Sequence, residues 1–413
     1  MSLAKNIEFL RRLPKLNQFN GLPGLARGLD MAGGSSRLTE TVGFGTNPGD
    51  LRMFSYLPGD QRARQKFGLV VVLHGCSQNA AGYDAGAGWS TLADRYGFAL
   101  LMPEQKPSNN GNGCFNWFNP EDTARGSGEA LSIRQMIARM AREYGIDKDR
   151  IFVTGLSAGG AMTSVMLATY PDVFAGGAVI AGLPYGIATN VQQALNGMFQ
   201  SPSRPARELG DLVRNASKHK GPWPKLSVWH GSADKTVNPS NADEIVKQWL
   251  DVHQLPSAPM SESAVGGYPR AIWWNADGKT VIESYTITGM AHGTPLGIGD
   301  NDERYGAQGA FMIEAGISSS YHIASFFGLT DRIHQPKEAS KEAPSQIPSM
   351  AATTTITVLP PAPLPPPARE INAIPWPLAV SSSYAKPRQP PRRPAIDVGA
   401  VITRALTAAG LMK

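Results

Sequence analysis

The stretch Gly155-Leu156-Ser157-Ala158-Gly159 sets a serine between small residues. It follows the apolar run Arg150-Ile151-Phe152-Val153-Thr154 and precedes a helical pattern from Ala161 to Ala168. A strand, a tight Gly-flanked turn with serine at its apex and then a helix make a nucleophile elbow. Small neighbours let strand and helix approach closely, and the helix N-terminus offers amides to developing negative charge. The chemistry would be attack of a hydroxyl on an acyl carbon. Alone the motif is weak, because Gly and Ser are common in loops. It gains weight only if the partners exist.

A serine hydroxyl needs a base to remove its proton and a third group to orient that base. In enzymes built on this elbow the chain order is serine, acid, histidine. Downstream, Lys225-Leu226-Ser227-Val228-Trp229-His230 reads as a short buried strand ending in the turn Gly231-Ser232-Ala233-Asp234. An acid just past the carboxyl end of a parallel strand lies on the ligand-binding edge of the sheet, so Asp234 is the candidate acid. A turn-capping Asp is the plain alternative, and Asp243, in the helical pattern that follows, is the competing acid. The alternating strand Val281 to Ile287 then leads into Gly289-Met290-Ala291-His292-Gly293. Of the 7 histidines, His292 alone has the right order and loop. His74 and His230 end strands before Gly and read as loop-shaping residues. His219 sits in a basic loop, while His253, His322 and His334 carry no motif.

The oxyanion of an acyl transfer needs two amide donors. Ala158, after the nucleophile, supplies one. The other is expected in the loop His74-Gly75-Cys76-Ser77-Gln78-Asn79, after the strand Leu69 to Leu73. Gly75 lets the backbone turn so that the Cys76 amide points inward, with Ser77 as the alternative donor. The plain alternative is an ordinary turn between strand and helix. Chemistry of this kind needs neither a metal nor a cofactor.

Several segments, in order, resemble the polyhydroxybutyrate depolymerase family of esterases, relatives of feruloyl and acetylxylan esterases among the α/β-hydrolases. They are Leu73-His74-Gly75-Cys76-Ser77-Gln78, Met102-Pro103-Glu104-Gln105, Cys114-Phe115-Asn116-Trp117-Phe118 and Gly155 to Met162. They continue as Ala181-Gly182-Leu183-Pro184-Tyr185-Gly186, His230 to Val237 and Gly289 to Gly293. Together they cover roughly residues 45 to 330. Carried over residue by residue, the resemblance implies a triad of Ser157, Asp234 and His292. It also implies that the aromatic loop around Trp117 lies near the nucleophile. Trp117 would pack on the aliphatic face of an ester, with Tyr185 on the opposite wall. Simple rim packing is the other reading of both. Cys76 and Cys114, the only 2 cysteines, match cysteines of the family. A disulfide between them would tie together two loops of the site.

These residues need a scaffold. Strand and helix alternate through the block, which predicts a mostly parallel sheet with helices on both faces; the resemblance implies that this is an α/β-hydrolase fold. Thr39 to Gly45 and Leu51 to Leu57 alternate as an antiparallel pair opening the sheet. Ser127 to Tyr144 is helical, with Ile133, Met136, Ile137, Met140 and Ala141 on one stripe. From Asn190 to Pro224 the pattern weakens, and this stretch is either an active-site roof or plain connection.

The expected domains are a basic, partly helical lead-in over 1–38, a catalytic domain over 39–330, a Pro-rich disordered linker over 331–395 and a short amphipathic helix over 396–413. Pro360-Pro361 and Pro365-Pro366-Pro367 mark the linker, since Pro-rich chain builds no packed core. Val398, Ile402, Ala405, Leu406 and Ala409 form the apolar side of the last helix, with Asp397 and Gly410 as its caps.

Net charge is +6, with clusters at Arg11, Arg12 and Lys15 and at Lys386, Arg388, Arg392 and Arg393. No recognition motif supports nucleic-acid binding, and no apolar run approaches the ~20 residues of a membrane span. The first residues lack the continuous apolar core of a secretory signal, which favours an intracellular protein, whereas a disulfide favours an oxidising compartment. No β-rich polymer-binding module of the kind found in secreted depolymerases is visible.

The leading expectation is therefore a serine esterase acting on short-chain 3-hydroxyalkanoate esters, as polymer or oligomer. The alternatives are a feruloyl or acetyl esterase on plant polysaccharide, or a protein whose basic tail binds a granule, another interfacial surface or a partner.

Overall fold

The computed structural model describes residues 36–59, 66–299, 303 and 305–331. These all belong to the first of two units, Met1–Pro336; the second is Lys337–Lys413. The expected lead-in helix, Pro-rich linker, terminal helix and His334 lie outside the described residues.

Twelve strands occur among the described residues. Ten of them build one sheet: β1 (Thr39–Thr41), β2 (Arg52–Tyr56), β3 (Phe67–Leu73), β4 (Ala99–Glu104), β5 (Ile146–Leu156), β6 (Gly176–Ile180), β7 (Lys225–Gly231), β8 (Ser261–Val265), β9 (Tyr268–Trp274) and β10 (Thr280–Ile287). Their order across the sheet is β1-β2-β4-β3-β5-β6-β7-β10-β9-β8. The six central strands, β4 to β10 in that order, pair parallel. Antiparallel pairs close both edges, β1 on β2 at one and β9 on β8 at the other. β11 (Thr294–Leu296) and β12 (Met312–Glu314) form a separate parallel pair.

The helices are α1 (Ala80–Ala87), α2 (Trp89–Tyr96), α3 (Pro120–Thr123), α4 (Gly128–Glu143), α5 (Ala158–Thr169), α6 (Val191–Phe199), α7 (Ala206–Asn215), α8 (Ser240–His253) and α9 (Ser319–Phe327). Side chains of a strand alternate between faces, and β3 shows how the two layers are divided. Leu69, Val71 and Leu73 enter one apolar cluster, with Ile133 and Met136 of α4, Met162 and Val165 of α5 and Ile245 and Trp249 of α8. Val70 and Val72 enter the other, with Tyr83 of α1, Leu92 of α2 and Ile323 of α9. Both faces are thus covered, which is why β3 is buried at every residue. α5 runs through the first cluster and is buried along its whole length.

Two regions carry elements that the sequence-based expectation did not place. The stretch 190–224 carries α6 and α7 with the Ser201–Pro205 connection between them. Asn190 caps α6 through its side chain. The hairpin β8–β9 turns at Gly266-Gly267, both at positive φ, +58° and +83°.

Candidate active site

β5 delivers Ser157. Its backbone stands at φ +58° and ψ −117°, a strained conformation for a residue with a Cβ. The turn is locked by Ser157 N–H donating to Ile180 O at 2.9 Å and Ala161 N–H donating to Ser157 O at 2.8 Å. Crowding explains the flanking glycines. A Cβ on Gly159 would stand 2.2 Å from Leu73 O, and one on Gly155 would stand 2.4 Å from Gly159 O. Ser157 precedes α5, yet its hydroxyl makes no capping bond. Among the described residues that hydroxyl has no hydrogen-bond partner, including His292. Catalytic hydrogen bonds often tighten only when substrate is bound.

β7 and β10, adjacent and parallel, deliver the other two residues. His292 Nδ1 donates to Asp234 Oδ2 at 2.7 Å. Asp234 Oδ1 accepts from Thr236 N–H at 2.8 Å and Val237 N–H at 2.9 Å. The two loops are zipped by main chain: Ser232 N–H to Ile287 O and Ala233 N–H to Met290 O, both at 3.0 Å. A Cβ on Gly231 would come 2.3 Å from Met290 O, so the loops close only over glycine. Asp234 is 5% exposed, and Ser157 and His292 are 9% exposed each. Burial would push the Asp234 carboxyl up. Hydrogen bonds from His230 and His292, the charge of His292 and the Val237 amide outweigh it and hold the carboxyl well below the usual range. Asp243 lies on α8 and makes no hydrogen bond to His292 among the described residues.

On the other side of Ser157 is the loop after β3. Ser77 N–H is consumed by Asn112 O at 2.8 Å. Cys76 N–H has no acceptor among the described residues, and Ala158 is the first residue of α5, whose amide has no partner within its helix. Gln78 Oε1 accepts from Gly75 N–H at 2.9 Å, and His74 Nδ1 faces Gly75 O at 2.8 Å. His74 Nε2 accepts from Gln105 N–H at 3.1 Å, so the ring is a neutral Nδ1–H tautomer. Burial lowers its pKa accordingly.

Cys76 and Cys114 are joined by a disulfide, with Cα atoms 4.3 Å apart. Trp117 is 8% exposed, packs edge-on against Phe118 at 5.5 Å and shares an apolar cluster with Ala158. Tyr185, half-buried, packs against the same cluster. Its main chain is held at both ends by Gln248: Tyr185 N–H to Oε1 and Nε2–H to Tyr185 O, each at 3.0 Å.

Several supporting residues were not singled out from the sequence. Glu129, fully buried at the start of α4, accepts from Gln105 Nε2 at 2.6 Å, Asn116 N–H at 2.9 Å and Asn116 Nδ2 at 2.8 Å. Gln105 Nε2 also donates to Cys114 O at 2.9 Å. Burial, with Asp122 nearby, pushes the Glu129 carboxyl up to about 8, against the pull of those donors. Glu129 lies four residues before Ile133 on the buried stripe of α4, and an acid on an apolar stripe was the available signal. Among the described residues no group of His, Cys, Asp and Glu could hold a metal ion, and no helix is long and apolar enough to cross a membrane.

The chain is similar to known esterases. A family model described as esterase PHB depolymerase matches residues 51–264. The poly(3-hydroxyalkanoate) depolymerase C of Paucimonas lemoignei is 47% identical over 293 residues, 71% of this chain and 70% of that one. An acetylxylan esterase of Coprinopsis cinerea is 34% identical over 268 residues, 63% and 70% of the two chains. Among solved structures, an acetyl xylan esterase from Aspergillus awamori superposes with a TM-score of 0.60 at 25% identity, covering 72% of this chain and 100% of that one.

Proposed function

The chain belongs to the esterase PHB depolymerase family, and from that premise we propose that it cleaves poly(3-hydroxyalkanoate) polymer or oligomers through an acyl-enzyme on Ser157. It is a carboxylic ester hydrolase. In the proposed cycle Ser157 Oγ attacks the ester carbonyl carbon while His292 Nε2 takes the hydroxyl proton. The amides of Cys76 and Ala158 hold the oxyanion. The C–O bond to the leaving alcohol breaks, and His292 returns the proton to that oxygen. Water, deprotonated by the same imidazole, then attacks the acyl carbon, releasing the acid and restoring Ser157. Asp234 keeps the proton on His292 Nδ1, so that Nε2 is free to accept, and stabilises the imidazolium.

The observation that carries this reading is the pairing of a positive-φ serine at the end of β5 with the 2.7 Å His292–Asp234 bond at the ends of β7 and β10. Trp117 and Tyr185 would wall the acyl side. The test is hydrolysis across p-nitrophenyl esters, hydroxybutyrate oligomers and polymer, and feruloyl and acetyl-xylan esters. Preference for hydroxybutyrate esters is expected. Preference for feruloyl or acetyl sugar esters would instead favour the reading suggested by the less similar acetylxylan esterase relatives.

We propose further that residues 39–330 are the catalytic domain and that the segment 396–413, beyond the Pro-rich stretch 331–395, binds a granule or other interfacial surface. The basic residues before and within 396–413 support that reading. A reporter fused to 335–413 should collect on polyester granules in cells that store them; diffuse signal would remove it.

A further inference from the structure

Asp234 Oδ2 is shared by two histidines. Besides His292, His230 Nε2 stands 3.2 Å from it. We propose that His230 is a positioning residue, whose Nε2–H holds the Asp234 carboxylate ionised and aimed at His292. This rests on the triad reading above and adds to it a fourth member.

The geometry fixes the tautomer. His230 Nε2 is also 3.0 Å from Val237 O, which can only accept, so Nε2 carries the proton. That single N–H is directed at Val237 O, with Asp234 Oδ2 3.2 Å from the same nitrogen. His230 Nδ1 is buried and has no partner among the described residues. A histidine serving packing alone gains nothing from a buried nitrogen left unpaired. A group that must hand one N–H to a carboxylate from the end of β7 accepts that cost.

The sharing completes the shell of the acid. Asp234 Oδ1 takes two main-chain amides and Oδ2 takes the His292 N–H, with His230 Nε2 3.2 Å from the same oxygen. With three hydrogen-bond donors and a second imidazole beside Oδ2, the carboxylate is held in one orientation. Because Asp234 lies four residues after His230, one turn carries both members. Asp243 of α8 is the other acid within electrostatic reach of His230.

Removing the His230 donor leaves more of the Asp234 charge facing His292. In His230→Leu, kcat should fall roughly 10- to 100-fold, the range of a lost hydrogen bond to a charged group. KM should stay within about twofold, and the acid limb of kcat/KM should move to higher pH. His230→Gln keeps an N–H donor and should recover most of both. Nuclear magnetic resonance of isotope-labelled histidine in the unmutated protein reads the tautomer directly, whether or not a variant folds. A proton on His230 Nδ1 rather than Nε2 overturns the proposal. So does an equal loss in both variants with the acid limb unmoved. Ser157→Ala separates the two ideas: turnover surviving in it removes the triad reading, while the tautomer measurement still decides the His230 contact.

Discussion

The two halves of the site are held by different means. The loops carrying Asp234 and His292 are joined by main-chain hydrogen bonds over a glycine, with the carboxylate held by two amides and the His292 N–H. The loops carrying Cys76 and Trp117 are joined by a disulfide and by the buried side chains Gln105 and Glu129. Main-chain bonds depend on no titratable group and no redox state. A cystine and a buried carboxyl depend on both. The first half therefore sets the chemistry rigidly. The second half, which would shape the oxyanion and acyl side, responds to its surroundings.

The largest break of this comparison is at the acid. Asp234→Ala should lower kcat about 10⁴-fold, as loss of the orienting acid does in other serine triads. Asp243→Ala should stay within about tenfold of the unmutated enzyme. Equal losses in the two variants would move the acid to α8.

Next is the cystine. Its cysteines are 38 residues apart in sequence. Replacing both with serine should cost about 2–4 kcal/mol in a denaturant titration. The His292–Asp234 half should survive, so residual kcat should exceed that of Asp234→Ala. A loss of activity as deep as the Asp234 variant would show that the halves are not independent.

Gly231→Ala tests the zipped loops. The new methyl meets main-chain oxygen that cannot swing aside, so the His292 loop must shift. Misplacement on the order of 1 Å costs roughly 100-fold in rate. Turnover within threefold or so would mean that the loops have slack.

The smallest effect is a pH slope from Glu129. Its folded pKa, about 8, lies above its ordinary 4.5. The folded protein thus keeps a proton that the unfolded chain releases. The stability linked to this group is complete below about pH 4.5 and is lost as pH rises through about 8. Between pH 5 and 8 the melting temperature of the unmutated protein should fall relative to Glu129→Gln. Parallel curves would show that the donors from Asn116 and Gln105 hold Glu129 ionised throughout.

Legibility in the sequence depended on how local each signal is. The Ser157 elbow, the acid after β7 and the histidine after β10 were readable because each sits at a strand end marked by glycine, in the chain order a triad needs. The parallel core was readable for a related reason: Leu69–Leu73 and Ile151–Thr154 are apolar runs too continuous for a one-faced strand. What escaped was whatever depends on a partner distant in sequence. His230 looked like a loop-shaping residue because its contact with Asp234 Oδ2 exists only once the turn is folded. Glu129 is 13 residues from Asn116 and 24 from Gln105, and no local period links them. α6 and α7 are short and their stretch is interrupted by prolines, so no long apolar period announced them. The β8–β9 hairpin did leave a signal, the Gly266-Gly267 pair.

The central claim is that Ser157 is the nucleophile of an ester hydrolase. The direct test is the turnover of a 3-hydroxybutyrate oligomer by Ser157→Ala, with the melting curve recorded alongside. The account requires an unchanged fold and a kcat lower by about 10⁴- to 10⁶-fold. A folded variant that still turns over within tenfold or so of the unmutated enzyme would contradict it.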